Sequence, residues 1–477
     1  MPASQILPFE PVSAVEQPSR SVLPDTLRLR FLVCGSVDDG KSTLIGRLLW
    51  DTKSVAEDHR ATLLARGSRQ NDLDLPDFAL LLDGLKAEQE QGITIDVAYR
   101  YFQTPRRAFI VADTPGHTQY TRNMATGAST ANVAVLLIDA RAGLLEQTRR
   151  HATICHLMGI RQMILAINKI DLVNYSQAVF ERIVAEFRAF SSDLAGIALT
   201  AVPVSALKGE NVVASAKGAM GWYRGPTLLE ALEGAEERDQ SSLPFRMSVQ
   251  RVSRPSEGFR GYQGTIAAGE VTVGDRITVH PSGETVSVLR IVTFNGDLEE
   301  ASAGEAVTLV LDRATDAARG DILAAADAPP MRARAFRAKV IALQGGGLMN
   351  NSRILVKSGA RLRSARITVQ SALDLATGAW QQAATLPLNS IGEVVLQFDE
   401  ETLFDRFEDC SGLGAFVLID PQTNNTIAGG MVIDLAQPDA ATSTRMTVSM
   451  PSGLVERIFA IPELAEYRKE IEVLARC

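Results

Sequence analysis

The fold of the first domain is decided by residues 27–50, which read LRLRFLVCGSVDDGKSTLIGRLLW. An apolar run typical of a strand stops at Gly35, and the apolar stretch after Gly40 has the periodicity of a helix. The loop between them fits G-x-x-x-x-G-K-[ST], in which backbone N–H groups at a helix N-terminus curl around phosphates. The predicted nucleotide contacts are Gly35, Ser36, Val37, Asp38, Asp39, Gly40, Lys41, Ser42 and Thr43.

Two side chains of this loop have predicted chemical roles. Lys41 is expected to reach the β and γ oxygens and to act in catalysis, and the Ser42 hydroxyl is expected to ligate Mg²⁺. Asp38 and Asp39 form a pair of carboxylates, but negative side chains aimed at a triphosphate would repel it. We therefore expect both carboxylates to face solvent or a partner.

The second motif is DTPGH at 113–117, directly after the apolar strand FIVA. Alone it could be an ordinary turn. A carboxylate at a strand end can hold the metal, usually through water, and a glycine N–H can meet a γ-phosphate. An imidazole can orient and polarise the attacking water, although an isolated histidine is more often structural. The predicted contacts are Asp113, Thr114, Pro115, Gly116 and His117.

The base of the nucleotide is expected to meet two further motifs. NKID at 168–171 follows the apolar MILAI, and SAL at 205–207 follows AVPV. A carboxylate at Asp171 can accept the N1 and N2 hydrogens of guanine, a donor pair that adenine lacks, which predicts GTP rather than ATP. The predicted base contacts are Asn168, Lys169, Ile170, Asp171, Ser205, Ala206 and Leu207.

Thr94, in QGITI, completes the predicted machinery. In a GTPase a switch threonine at such a place meets Mg²⁺ and the γ-phosphate, whereas the alternative is a buried strand threonine. The predicted metal ligands are thus Ser42, Thr94 and Asp113, and the predicted catalytic residues are Lys41, Thr94 and His117. No G-x-S-x-G signature supports covalent hydrolysis. The other histidines, among them His151, are expected to be structural or exposed.

Alternating strand and helix patterns up to about residue 240 predict a doubly wound, mostly parallel sheet. Short alternating segments with turns such as residues 281–284 then predict two all-β barrels. The predicted organisation is a disordered leader at 1–26, an α/β nucleotide-binding domain at 27–240, barrels at 241–330 and 331–437, and a polar joint with a helical tail at 438–477. The tail has helical periodicity from residue 454.

Composition restricts the class of protein. The 477 residues are 46% hydrophobic and 22% charged, with a formal net charge of -8, which indicates a globular multidomain chain and gives no sign of a nucleic-acid surface. The four cysteines are scattered without a CxxC pair, which favours a reducing cytoplasm. No apolar stretch approaches the 20 or so residues that span a bilayer, and the N-terminus lacks a secretory signal pattern.

With these motifs in order, the chain resembles the translational GTPase superfamily from about residue 27 to about residue 437. One branch is more similar than the elongation factor Tu branch, namely the large, GTP-hydrolysing subunits of bacterial sulfate adenylyltransferase. The stretches that carry this resemblance include GSVDDGKSTLIGRLLWDT at 35–52, LLDGLKAEQEQGITIDVAYRYF at 81–102, DTPGHTQYTRNMATGAST at 113–130 and RGYQGTI at 260–266. Elongation factors usually carry a histidine and an arginine where this chain has Ser36 and Gln91.

The resemblance implies a P-loop GTPase domain followed by two barrels, with GTP and Mg²⁺ as cofactors. It also implies a smaller catalytic subunit as partner, in a heterodimer or higher assembly, which transfers AMP from ATP to sulfate while this chain couples GTP hydrolysis to that step. The alternative is an elongation-factor-like GTPase that delivers aminoacyl-tRNA. Residues 341–351, IALQGGGLMNN, depart from the family pattern, and no second phosphate-loop pattern follows residue 440, which excludes a fused kinase.

Overall fold

The computed structural model of the chain describes residues 28–55, 57, 60, 78, 94, 96–192, 194–216, 218–236, 240–256, 259–375, 377–436, 448–451 and 473–476. The predicted leader lies outside these residues. The chain divides into two compact units, one holding the sheet of the first domain and the other holding two barrels. The predicted fold class, an α/β nucleotide-binding domain followed by two all-β barrels, is confirmed.

The first unit is built on a six-stranded sheet with the order β2-β3-β1-β4-β5-β6. Its strands are β1 (Arg28–Cys34), β2 (Ala98–Gln103), β3 (Ala108–Asp113), β4 (Val133–Asp139), β5 (Gln162–Asn168) and β6 (Ala198–Pro203). Only β2, at one edge, is antiparallel to its neighbour. Strands β4 and β5 are buried almost throughout, as expected where helices cover both faces of a parallel sheet.

Helices connect these strands. They are α1 (Lys41–Asp51), α2 (Thr121–Ala128), α3 (Glu146–Leu157), α4 (Gln177–Ser191) and α5 (Leu228–Glu233), with 3₁₀ turns at Thr118–Tyr120 and Ile170–Val173. The parallel register aligns the strand ends, because Val33 lies beside Asp113 and Asp139 lies beside Asn168. The loops that carry the predicted motifs therefore leave the sheet at its carboxyl edge, where ligands bind in open α/β folds.

The first barrel closes through six antiparallel strands in the order β11-β16-β7-β9-β15-β12, with β12 pairing back to β11. The strands of this region are β7 (Arg246–Ser248), β8 (Arg251–Ser253), β9 (Gly261–Ala268), β10 (Glu270–Thr272), β11 (Arg276–His280), β12 (Glu284–Thr293), β13 (Gly296–Leu298), β14 (Glu300–Ser302), β15 (Ala306–Leu311) and β16 (Ile322–Ala325). The predicted turn at 281–284 joins β11 to β12. Tyr262, fully buried, donates its hydroxyl to the Thr315 carbonyl at 3.1 Å.

The second barrel closes in the order β19-β24-β25-β17-β23-β20, with β20 pairing back to β19. Its elements are β17 (Met331–Ala342), β18 (Leu348–Met349), β19 (Arg353–Ser358), β20 (Arg361–Leu373), β21 (Trp380–Gln382), β22 (Thr385–Leu386), β23 (Ile391–Phe404), α6 (Ser411–Gly414), β24 (Ala415–Ile419) and β25 (Thr426–Leu435). Alternate residues of the strands fill the barrel. Its core includes Phe336, Phe398, Phe404 and Phe416, whose rings meet mostly edge to face.

The two barrels meet through a small apolar cluster and one buried ion pair. Ala268 and Ile322 of the first barrel pack with Leu403 of β23 and with residues that connect β23 to β24 in the second barrel. Arg246 of β7 bonds the carboxylate of Asp405 through Nε, at 2.7 Å, and both side chains are less than a tenth exposed. A buried, well-aligned guanidinium–carboxylate pair fixes one orientation, because breaking it leaves an uncompensated charge.

The C-terminal tail differs from the prediction. Val448–Pro451 (β26) and Val473–Arg476 (β27) form a parallel pair of strands. The sequence predicts that the residues of β27 end a helix, and this part of the helix prediction is wrong. The backbone N–H and C=O groups of β27 form hydrogen bonds with β26 instead of with a helical turn. The rest of the predicted helix lies outside the described residues. Within the described parts of the chain, no helix is long and apolar enough to cross a membrane.

Candidate nucleotide-binding site

The phosphate loop runs from the end of β1 to the start of α1. Asp38 and Gly40 take left-handed conformations, with φ of 65° and 94°, and α1 begins at Lys41. A side chain at Gly40 would also collide with the Asn168 amide, since a Cβ there would lie 2.5 Å from Asn168 Nδ2. Glycine is therefore required at this position, and the reversal places the loop over the helix N-terminus, the usual site for a phosphate.

Lys41 is buried at this loop, with 8% of its surface exposed. Its ammonium group donates to the carbonyls of Gly35 at 3.2 Å and Ser36 at 2.8 Å. Burial lowers the pKa of Lys41, and the carboxylates of Asp39 and Asp113 oppose that shift. The loop thus holds a cation in a poorly solvated place, where attraction to phosphate oxygens is strong.

The expectation for the two carboxylates of the loop is met by Asp38 and wrong for Asp39. Asp38 is exposed, whereas Asp39 is only 3% exposed and its Oδ2 accepts the Ser36 N–H at 2.5 Å. The left-handed turn at Asp38 directs the next side chain beneath the loop. Burial raises the pKa of Asp39, and the Lys41 charge and the Ser36 hydrogen bond oppose that rise. Asp39 therefore stabilises the loop from its buried side, and the backbone of the loop stays available to the nucleotide.

The DTPG segment lies against the phosphate loop. Asp113 is the last residue of β3 and is 2% exposed, and the Thr114 hydroxyl donates to the Val33 carbonyl at 2.7 Å. A Cβ added to Gly116 would meet the Lys41 ammonium and lie 2.8 Å from the Gly35 carbonyl oxygen. The second motif therefore reaches the place where Lys41 would meet a γ-phosphate.

His117 and Thr94 are less closely tied to the loop. His117 is exposed, its ring meets that of Tyr120 edge to face, and its Nδ1 accepts the Gln119 N–H at 3.4 Å. Its Nε2 is thus the nitrogen that can meet a water. Thr94 is half-buried, and its neighbours Ile93 and Ile95 lie outside the described residues. The roles of both side chains stay predictions.

Asn168 joins three motifs. Its Nδ2 donates to the Asp39 carbonyl at 2.8 Å, and its Oδ1 accepts the Ala206 N–H at 3.0 Å. Ser205 and Ala206 are buried, while Leu207 is 42% exposed. Asp171 lies on the 3₁₀ turn after Lys169 and Ile170, with its side chain 10% exposed. The loop, NKID and SAL motifs therefore converge, as the sequence predicts for a guanine pocket.

Sequence reasoning missed Asp139 at the end of β4. Burial alone would raise its pKa, but hydrogen bonds from Arg141 and Lys169 outweigh this effect and lower the pKa of Asp139 to about 2. The Lys169 ammonium lies 3.0 Å from Asp139 Oδ2 and also donates to the Asp38 carbonyl. Asp139 thereby holds the lysine of NKID against the phosphate loop. The only sequence signal was its position directly after a buried strand.

Lys208, Tyr175 and Glu210 were missed as well. Their side chains form a hydrogen-bonded group beside Asp171. Among the described residues, no three His, Cys, Asp or Glu side chains are grouped so that they could hold a metal ion by themselves.

Comparison with known proteins places the chain in a family. Residues 27–237 match the model of the elongation factor Tu GTP binding domain, and residues 335–433 match the GTP-eEF1A C-terminal domain-like model. Sulfate adenylyltransferase subunit 1 of Agrobacterium fabrum is 57% identical over 474 residues, which is 99% of this chain and 94% of that protein. The protein of the same name from Rhizobium meliloti is 55% identical over 97% of this chain and 94% of its own length.

A relative with a different name also matches. The bifunctional enzyme NodQ of a Rhizobium species is 50% identical over 409 residues, which is 85% of this chain and 63% of that protein. The phosphate loop, the converging NKID and SAL motifs and the two barrels agree with these matches. The chain therefore belongs to the sulfate adenylyltransferase subunit 1 family, and its first domain is a GTP-binding domain of the translational GTPase superfamily.

Proposed function

We propose that this chain is the GTP-hydrolysing subunit of a sulfate adenylyltransferase. It couples GTP hydrolysis to the formation of adenylyl sulfate and pyrophosphate from ATP and sulfate by a smaller catalytic subunit. The observation that carries the proposal is the convergence of the phosphate loop, NKID and SAL on Asn168, in a chain 57% identical to a sulfate adenylyltransferase subunit 1. The two subunits form a heterodimer or a higher assembly.

The phosphate end of the site works by charge and position. Lys41 meets the β- and γ-phosphate oxygens, and the Gly116 N–H meets the γ-phosphate. Because Lys41 is buried, its charge is poorly screened and is stabilised when the triphosphate arrives. His117 orients the attacking water through Nε2. Asp39 keeps the loop in shape by accepting the Ser36 N–H.

The donor set suits Mg²⁺. Ser42 lies in the first turn of α1, and the buried Asp113 carboxylate is close enough to Lys41 to oppose the lowering of its pKa. Hard oxygen donors of this kind are those that Mg²⁺ prefers, and Thr94 would add a third. When bound, the ion neutralises charge on the phosphates.

At the other end of the site, the Asp171 carboxylate accepts the N1–H and N2–H of guanine, and the Ala206 region completes the pocket. Adenine presents no such donor pair, so the pocket selects GTP.

The adenylyl-transfer residues belong to the partner subunit. The formation of adenylyl sulfate that they catalyse is thermodynamically unfavourable. A conformational change gated by GTP hydrolysis gives that reaction a favourable drive.

The test uses the complex purified from its own host with whatever chain co-purifies. Pyrophosphate release from ATP is measured with sulfate and GTP each added or withheld. We expect release that requires sulfate and rises with GTP. Pyrophosphate release that depends on neither sulfate nor GTP, together with GTP hydrolysis stimulated by ribosomes, would instead indicate the elongation-factor-like alternative.

A second experiment tests whether GTP stimulates the reaction by binding to this chain. In a complex carrying Asp171→Asn, xanthosine triphosphate should replace GTP in stimulating sulfate-dependent pyrophosphate release, because the asparagine amide can donate to the xanthine C2 carbonyl. The native complex with xanthosine triphosphate is the control. Stimulation of the variant by GTP alone would contradict the assigned role of Asp171.

We place the complex in the cytoplasm. Cys34 and Cys410 are buried cysteines outside any disulfide, as in proteins of a reducing compartment.

A further inference from the structure

Lys208 lies beside the carboxylate that is proposed to bind guanine. Its ammonium nitrogen is 3.7 Å from Asp171 Oδ2, and the two side chains are 42% and 10% exposed. This distance is within the range of an ion pair but too long for a hydrogen bond. Lys208 therefore supplies a positive charge without using an acceptor site of the carboxylate, and both oxygens stay free for a base.

Tyr175 sets this distance. Its hydroxyl accepts a hydrogen bond from the Lys208 ammonium at 3.1 Å and donates one to Glu210 Oε1 at 3.2 Å. The hydrogen bond that Lys208 donates to Tyr175 raises the pKa of Lys208, so its ammonium stays charged at neutral pH.

Tyr175 is itself fixed by the backbone. Asn174 and Tyr175 both take left-handed conformations, with φ of 52° and 55°. Such a conformation is costly for a bulky residue and persists only where its surroundings hold it. The Tyr175 N–H donates to the Ile170 carbonyl at 2.9 Å, and the Tyr175 carbonyl accepts the Trp222 indole N–H at 3.0 Å. The aromatic ring is thus held beside the base pocket.

We propose that Lys208, held by Tyr175, is a positioning residue for guanine recognition. This inference rests on the proposed role of Asp171. A bound base covers the Asp171 carboxylate and removes water from it, and a carboxylate that loses water needs a counter-charge. Lys208 supplies that charge from the side, leaving both oxygens to the N1–H and N2–H of guanine.

The competing expectation is that Lys208 is an ordinary surface cation. Partly exposed ion pairs contribute little, and many contribute nothing measurable. In that case its removal leaves nucleotide affinity unchanged. The two expectations differ in the affinity for GDP, because only the proposed role couples Lys208 to a carboxylate that is covered by the base.

The experiment measures the dissociation constant of GDP by titration calorimetry on the full-length chain with its co-purifying partner. The variants are Lys208→Gln, Lys208→Arg, Tyr175→Phe and the double variant Tyr175→Phe with Lys208→Gln. Arg182→Gln is the matched control, since it removes one exposed cation that is paired to Glu186 at 3.3 Å in the same domain. Each protein is measured at about 0.05 and about 0.5 M sodium chloride, conditions that differ strongly in screening.

We expect Lys208→Gln to weaken GDP binding about three- to tenfold at low salt and less at high salt, because the lost interaction is electrostatic and partly exposed. Lys208→Arg should keep most of the affinity, and Arg182→Gln all of it. Tyr175→Phe should weaken binding in the native background but add nothing to Lys208→Gln, because Tyr175 acts through Lys208. A purely structural role would show neither the salt dependence nor this loss of additivity.

Three results would overturn the proposal. They are an unchanged dissociation constant in Lys208→Gln, an effect of equal size at both salt concentrations, and a Tyr175→Phe effect that is the same in both backgrounds. Failure of the proposed function would be distinguishable from these results, because the native protein would then bind GDP no more tightly than ADP. Tight, guanine-specific binding by the native chain with an unaffected Lys208→Gln variant rejects the role of Lys208 alone.

Discussion

Replacing Gly116 with alanine should separate nucleotide binding from hydrolysis. The added methyl group would meet the Lys41 ammonium, and it would lie 2.8 Å from the Gly35 carbonyl oxygen and 3.0 Å from the Ser36 carbonyl carbon. The ammonium is the end of a flexible side chain and can move. The other two atoms belong to the backbone of the phosphate loop, so they move only if the loop or the DTPG segment moves.

The size of that movement follows from the distances. To reach the 3.4 Å of an ordinary contact, the Gly35 oxygen and the new methyl group must separate by about 0.6 Å. Catalytic groups must be held within roughly 0.5 Å of their productive positions, and a 1 Å misplacement can cost about 10²-fold in rate. We therefore expect GTP hydrolysis to fall about 10- to 100-fold. GDP should bind nearly as well as before, since it lacks the γ-phosphate that meets Gly116.

The assay is single-turnover hydrolysis of GTP, with GDP affinity measured on the same protein. Gly221→Ala is the control, because among the described residues a Cβ at Gly221 meets only the Gly218 carbonyl oxygen, at 3.5 Å. This substitution should leave both quantities unchanged. Hydrolysis by Gly116→Ala within threefold of the native rate would refute the reasoning. It would show that the loop absorbs the methyl group without displacing Lys41.

Three further predictions concern other parts of the chain. Asp405→Asn leaves Arg246 buried without its charged partner and should lower the free energy of unfolding by about 3–5 kcal/mol. The control Asp399→Asn removes one member of an exposed pair and should lower it by less than about 1 kcal/mol. Equal losses for the two variants in thermal or urea unfolding would contradict this prediction. His117→Ala should keep GTP binding and lose about 10²-fold in hydrolysis, and an unchanged rate would remove His117 from the mechanism. Burial, then the charges of Lys41 and Arg150, lower the pKa of His151 to about 3, so stability should fall as pH falls from 6.5 towards 3, by at most about 1.4 kcal/mol per unit. His151→Gln should flatten that acid limb, and parallel stability curves would contradict the assignment.

The position of the site was predictable because each motif is a short, contiguous pattern. The strand, the loop and the start of α1 follow from apolar periodicity and two glycines, and Gly40 does take the left-handed conformation that such a loop requires. DTPG, NKID and SAL each follow an apolar strand. Parallel strands end at one edge of a sheet, which brings the three motifs to the phosphate loop.

Asp39 shows where local reasoning fails. Repulsion of a triphosphate argued that its carboxylate faces outward, but the chain reversal at Asp38 turns it beneath the loop, where the Ser36 N–H satisfies it. The last described residues of the tail show the same limit. Val473–Arg476 belong to a segment with helical periodicity, but they form a strand that pairs with Val448–Pro451. Local periodicity does not show this pairing, because it depends on which strand lies nearby in the tertiary structure.

The sequence by itself determined the fold class, the order of the domains and the motifs that meet at the carboxyl edge of the sheet. These depend on periodicity, turn chemistry and contiguous motifs, whose physical meaning is local. Only the tertiary structure decided which charges meet, such as Lys208 beside Asp171 and Arg246 with Asp405, 159 positions apart. The fold of the chain sets those pairings, and the buried pair of Arg246 and Asp405 persists because breaking it would leave an unpaired charge in the interior.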